Sequence, residues 1–94
     1  MANFIICLEV KERRRDYERL RQLLTKMAAA QLLETVWLAS VAGRAEQLCD
    51  ALRTAVYPGD SIIVVRLHDN GASSDWATHQ DPPEGLRWLQ SHYR

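Results

Sequence analysis

Asn3-Phe4-Ile5-Ile6-Cys7-Leu8-Glu9-Val10 decides how this chain is read. The run is aliphatic or β-branched at odd and even positions alike. A strand with one wet face alternates apolar and polar residues; a run without that alternation reads as a strand buried in the middle of a sheet. Phe4, Ile6, Leu8 and Val10 fall on one face, and Ile5, Cys7 and Glu9 on the other. Three further strand-like runs can pair around it. The run ends at an acid, Glu9, just before the largely basic Lys11 to Arg15. A carboxylate at the lip of a central strand, followed by arginines, is the place where the sequence offers chemistry. The competing reading is a solvated acid with a cation beside it, the commoner fate of such a residue.

Beyond this strand the pattern changes period. Asp16 suits the first turn of a helix, where its charge meets the dipole. Tyr17, Leu20, Leu24 and Met27 recur at helical spacing to about Met27, with Leu23 widening the stripe. Ala28 to Ala30 could prolong it. Gln31 to Ser40 (QLLETVWLAS) carries Thr, Val and Trp and favours strand. It is read as two strands meeting at a very tight turn or bulge near Glu34 and Thr35, with a continuous strand as the alternative and Trp37 as a packing residue. Gly43 breaks the pattern, and a second helix runs from Arg44 to about Tyr57 with Ala45, Leu48, Cys49, Leu52 and Val56 on one side. Pro58-Gly59-Asp60 is a turn. Ser61 to Leu67 is a strand, with Ile63, Val65 and Leu67 on one face and Ile62, Val64 and Arg66 on the other. His68 to Pro83 reads as loop around a solitary Trp76. A short helix opens at Asp81-Pro82-Pro83-Glu84.

The chain has 94 residues, enough for one domain and one core. Its hydrophobic share of 47% and charged share of 26% are those of an ordinary globular protein. Twelve basic and twelve acidic residues cancel, so any basic patch must be local. The N-terminal apolar run is too short for a signal peptide and no stretch approaches a spanning helix, which predicts a cytoplasmic protein without membrane contact. Cys7 and Cys49 lack metal-ligand spacing and read as small hydrophobes in a reducing compartment. His68, His79 and His92 read as surface residues, and no triad, Walker or dinucleotide fingerprint is present.

Strand, helix, strand, strand, helix, strand, then a C-terminal helix is the order of a ferredoxin-like α+β fold. Its antiparallel sheet runs 4-1-3-2, with the first and fourth strands side by side. Two helices cover one face. The other face is expected to show Ile5, Cys7, Ile62 and Val64 to water, an apolar patch unusual for a monomer. A second subunit, or the loop and helix after His68, would cover it. A symmetric homodimer is the favoured answer, with Trp76 joining the interface. The same topology gathers Glu9, Thr35 and Asp60 at one sheet edge, with Glu34 near. Glu9 and Asp60 are then candidate ligands for Mg²⁺, which could activate water for phosphate chemistry. Arg13, Arg14 and Arg15 would face a phosphate backbone.

These features resemble the CRISPR-associated Cas-two family and its VapD and SinR-like relatives, over about Ala2 to Leu67. The resemblance rests on FIICLEV followed by KERRRDYERLRQLL, on the Thr35-Val36-Trp37 step in ETVWLAS, and on RAEQLCDALRTAV leading into GDSIIVVRL. The SinR-like branch looks closest. The resemblance implies a small ferredoxin-like homodimer that handles nucleic acid, in antiviral defence or a toxin–antitoxin pair. In the CRISPR-associated branch an aspartate ending the first strand is the proposed metal ligand of a phosphodiesterase. The same dimer also serves as a non-catalytic scaffold there, and in the VapD branch the fold is a ribonuclease toxin. The matching residue here is Glu9, with Leu8 where an aromatic usually stands. Its carboxylate stands one methylene farther out, enough to move a metal by about an ångström, and catalysis depends on geometry at that scale. The expectation is a nucleic-acid-associated dimer. The alternatives are a Mg²⁺-dependent endonuclease with Glu9 as catalytic ligand, and a non-catalytic dimer that binds a protein partner.

Overall fold

The computed structural model describes residues 1–12, 14–67, 77, 79 and 83–93. Arg13, His68 and Trp76, with most of the expected loop, lie outside the described residues. The elements are β1 (Ala2–Glu9), α1 (Glu18–Lys26), β2 (Ala30–Leu33), β3 (Val36–Val41), α2 (Ala45–Arg53), β4 (Ser61–Leu67) and α3 (Pro83–His92). Among the described residues the architecture is α+β: one antiparallel four-stranded sheet, ordered β2-β3-β1-β4, and three helices. β1 is central, as its unbroken apolar run requires. Ile6 lies opposite Trp37 on one side and Val64 on the other.

Local chemistry sets the boundaries. Lys26 is the last residue of α1, and Ala28 takes a positive φ of 55°. The amides of Ala28 and Ala29 return to the carbonyls of Thr25 and Leu24, both at 2.9 Å, satisfying the helix's last acceptors. That left-handed step ends α1, so Ala28 to Ala30 do not prolong it. Glu34 and Thr35 form the turn between β2 and β3, and Leu8 N–H donates to Thr35 O at 2.9 Å, which ties the turn to β1. Gly43 has φ 106°, and Arg44 N–H donates to Gln47 Oε1 at 2.8 Å, which opens α2.

The two sheet faces are covered differently. Phe4, Ile6 and Leu8 of β1 and Ala39 of β3 meet Tyr17, Leu20 and Leu24 of the α1 region and Leu48, Leu52 and Ala55 of the α2 region in the main core. Ile62 and Val64 pack against this core, because they stand opposite Leu8 and Ile6. Their expected place on the helix-free face is therefore corrected. The residues of β4 that share a face with Ile5 and Cys7 are Val65 and Ile63.

That second face is partly covered by the chain itself. Trp88 and Tyr93 pack with Leu38 in a second cluster, and Ile5, Ala30, Leu32, Leu67 and Leu89 lie against it. Asn3 Nδ2 donates to Tyr93 Oη at 3.1 Å. Gly85 brings the helix down onto β2: a Cβ there would meet the backbone Cα of Leu32 at 2.8 Å. α3 thus takes the β2–β3 half of the face. On the β4 side, Ile63 and Val65 stay 61% and 48% exposed, with Cys7 half-buried between the two halves.

Candidate functional site

Three segments converge at the exit of β1, and Asp60 holds them. Its Oδ1 accepts from Lys11 N–H at 2.9 Å; its Oδ2 accepts from the Tyr17 hydroxyl at 2.6 Å and from Tyr57 N–H at 3.0 Å. Burial pushes the Asp60 carboxyl up, but hydrogen bonds from Tyr17, Lys11 and Tyr57, with the charge of Arg15, outweigh it and leave it below its ordinary value. Burial, with the bond to Asp60, pushes the Tyr17 hydroxyl up to about 12. Tyr57 meets Tyr17 edge-on at 5.4 Å between ring centres and donates its hydroxyl to Asp16 O at 3.0 Å. The Arg15 guanidinium sits over the Tyr57 ring at 4.8 Å and pairs with Glu12 at 3.1 Å. A strand exit, a helix start and a turn are thereby locked together.

Glu9 is exposed at the end of β1. It stands opposite Ser61, on the face of Cys7 and Ile63, whereas Asp60 turns to Tyr17, a member of the main core on the other face. The two carboxylates start from opposite faces of the sheet, and both oxygens of Asp60 already accept protein donors. Among the described residues no group of three or more His, Cys, Asp or Glu side chains is placed to hold a metal. Of the arginines read as phosphate contacts, Arg14 is exposed and Arg15 is half-buried in its stack with Tyr57. Lys11, not singled out from the sequence, is exposed beside them.

A cleft of about 450 Å³ opens between α1 and the β2–β3 edge. Leu8 and Trp37 line it with Leu20 and Leu24, and Glu34 and Glu84 stand among its polar lining. Trp37 is half-buried and packs against the main core, in keeping with its expected packing role.

Sequence reading missed Tyr17 and Tyr57 as partners of Asp60. The signal was faint: an acid right after Pro-Gly, with Tyr57 three positions before it, but Tyr17 43 positions away. The cysteines are free and half-buried on separate elements, and His79 and His92 are exposed. Among the described residues no helix is long and apolar enough to cross a membrane. No protein-family description, curated protein or solved structure matches this chain.

Proposed function

We propose that this chain is a ferredoxin-like, nucleic-acid-associated protein that works as a homodimer and grips phosphates without cutting them. The order of its elements and the strand order β2-β3-β1-β4 support the fold. The observation that carries the functional reading is the anchoring of Lys11 N–H by Asp60, at the root of the basic segment. It fixes the turn from which the exposed Lys11 and Arg14 project. Pre-positioned cations lose less freedom on meeting a backbone phosphate. With a net charge of zero over the whole chain, attraction to nucleic acid must come from such a local patch. The separation of Glu9 from Asp60 favours binding over metal-dependent cleavage.

The test is fluorescence anisotropy with labelled RNA and DNA oligonucleotides at several salt concentrations. Binding is expected to weaken with salt, with a log–log slope of about −0.7 per phosphate contacted on a single strand. Lys11→Ala and Arg14→Ala are each expected to shallow that slope. Binding indifferent to salt, or unchanged in the double variant, refutes the reading. Incubation with Mg²⁺ checks the alternative: cleavage that appears with the metal and vanishes in Glu9→Ala would make this an endonuclease.

A further inference from the structure

We infer that the exposed side of α1 carrying Arg19 and Lys26 continues the phosphate-gripping surface begun at Lys11 and Arg14, so that a strand of nucleic acid lies along this helix. This rests on the nucleic-acid reading above and adds where the strand runs. The chain is neutral as a whole, but its charges are segregated. Residues 11 to 26 hold seven of the twelve basic residues and three of the twelve acidic ones, a net charge of +4 set against −4 for the remainder. The three acids are engaged inside the segment. Glu12 pairs with Arg15 at 3.1 Å, Glu18 pairs with Arg21 at 3.3 Å, and Asp16 Oδ1 accepts from Glu18 N–H at 2.9 Å. Lys11, Arg14, Arg19 and Lys26 are all exposed.

Helix geometry aligns the last two. Arg19 and Lys26 stand two turns apart on one side of α1, with Gln22 between them, and about 10.5 Å separates them along the axis. A stacked strand advances about 3.4 Å per phosphate, so the two cations match phosphates about three apart. Arg21 and Thr25 lie on the other flank, where they line the cleft. The chemistry of this side selects the occupant. Every exposed residue of α1 is polar or charged: Glu18, Arg19, Arg21, Gln22, Thr25 and Lys26. A protein interface needs an apolar centre, which this side lacks. A helix that lies in a lipid surface buries its apolar stripe there, but Leu20 and Leu24 are already inside the main core. A row of cations without grease fits a phosphate backbone, which is bound by charge alone.

The experiment measures the salt dependence of binding to a labelled single-stranded RNA, with the full chain and two double variants. Arg19→Ala with Lys26→Ala removes the two cations of the α1 ridge. Arg53→Ala with Arg87→Ala removes the same charge from exposed positions on α2 and α3. Alanine favours helix, so the circular dichroism spectrum is expected to stay unchanged in both. The ridge variant is expected to lose about 1.4 from the log–log salt slope, about 0.7 for each phosphate contact removed. The control is expected to keep the slope of the unmodified protein. A ridge variant with an unaltered slope, or a control that loses as much, overturns the path along α1 while the grip by Lys11 and Arg14 stands. Vesicles of phosphatidylserine and phosphatidylcholine are the competing probe: tighter binding to them than to RNA, lost in the ridge variant, overturns the choice of partner. Absence of RNA binding at low salt overturns both the path and the nucleic-acid reading.

Discussion

Replacing Asp60 by asparagine is expected to destabilise the fold by about 2–3 kcal/mol at pH 7. The carboxylate accepts from Lys11 N–H, the Tyr17 hydroxyl and Tyr57 N–H, at 2.9, 2.6 and 3.0 Å. Hydrogen bonds to a charged acceptor contribute about 1.5–3 kcal/mol each, and neutral ones about 1. Asparagine keeps one carbonyl oxygen, which can serve two of the three donors at neutral strength. The third donor then faces an NH₂ group. The full difference would exceed the figure given, but Asp60 is only half-buried, so water recovers part of it. Tyr17→Phe is expected to cost about 1–2 kcal/mol, since Asp60 keeps its two backbone donors. The double variant should fall short of the sum by about 1 kcal/mol, because the two share one bond. Urea unfolding of the four proteins at pH 7 supplies the cycle. The sign with pH follows from the depressed carboxyl. Its contribution is fully present above the unfolded value of about 3.9 and is lost as pH falls through the folded one. The gap between wild type and Asp60→Asn should therefore narrow in acid. A loss below about 0.5 kcal/mol at pH 7, or strictly additive variants, would refute the role assigned to Asp60.

Ala28→Gly is expected to stabilise by about 1 kcal/mol, read as a higher urea midpoint, because glycine adopts the φ of 55° without a Cβ penalty. Gly85→Ala should cost about 1–3 kcal/mol and alter the near-ultraviolet dichroism of Trp88, since the new methyl strikes the backbone of Leu32 and lifts α3. At alkaline pH the Tyr17 hydroxyl, pushed up to about 12 from 10.0, works in the opposite sense to Asp60. Its stabilisation is complete below about pH 10 and fades as pH rises towards 12, so unfolding midpoints should drop over that range in wild type and less in Tyr17→Phe.

The helices were legible from their apolar period and the strands from short aliphatic, β-branched runs bounded by turn residues. β4 was expected over Ser61 to Leu67 and occupies those residues, and the turn at Glu34 and Thr35 lies where Gln31 to Ser40 placed it. Helix ends were less legible: α2 stops at Arg53, short of Tyr57, because the last turn loosens towards Pro58 and Gly59. The facing of β4 was misread for a physical reason. Ile62, Ile63, Val64 and Val65 are all apolar, so alternation gives no sign of which pair faces the helices. The register against β1 decides it, and a register is a pairing between strands that neither sequence states alone. Asp60 was legible as an acid at the sheet edge. Its partners were not, since Tyr17 reads as one more member of an apolar helix stripe. The position of α3 on the β2–β3 half depends on Gly85 clearing Leu32, a fit that no helical period reports.

The placement of β1 also sets a timetable for synthesis. Its register joins Asn3 to Leu67, so its second flank is made last of the four strands. At a translation rate of about 5–20 residues per second, the greasy opening segment waits several seconds for that flank. During the wait one long margin of the nascent chain is bare, and molecules emerging side by side on the same messenger meet at their most adhesive stage.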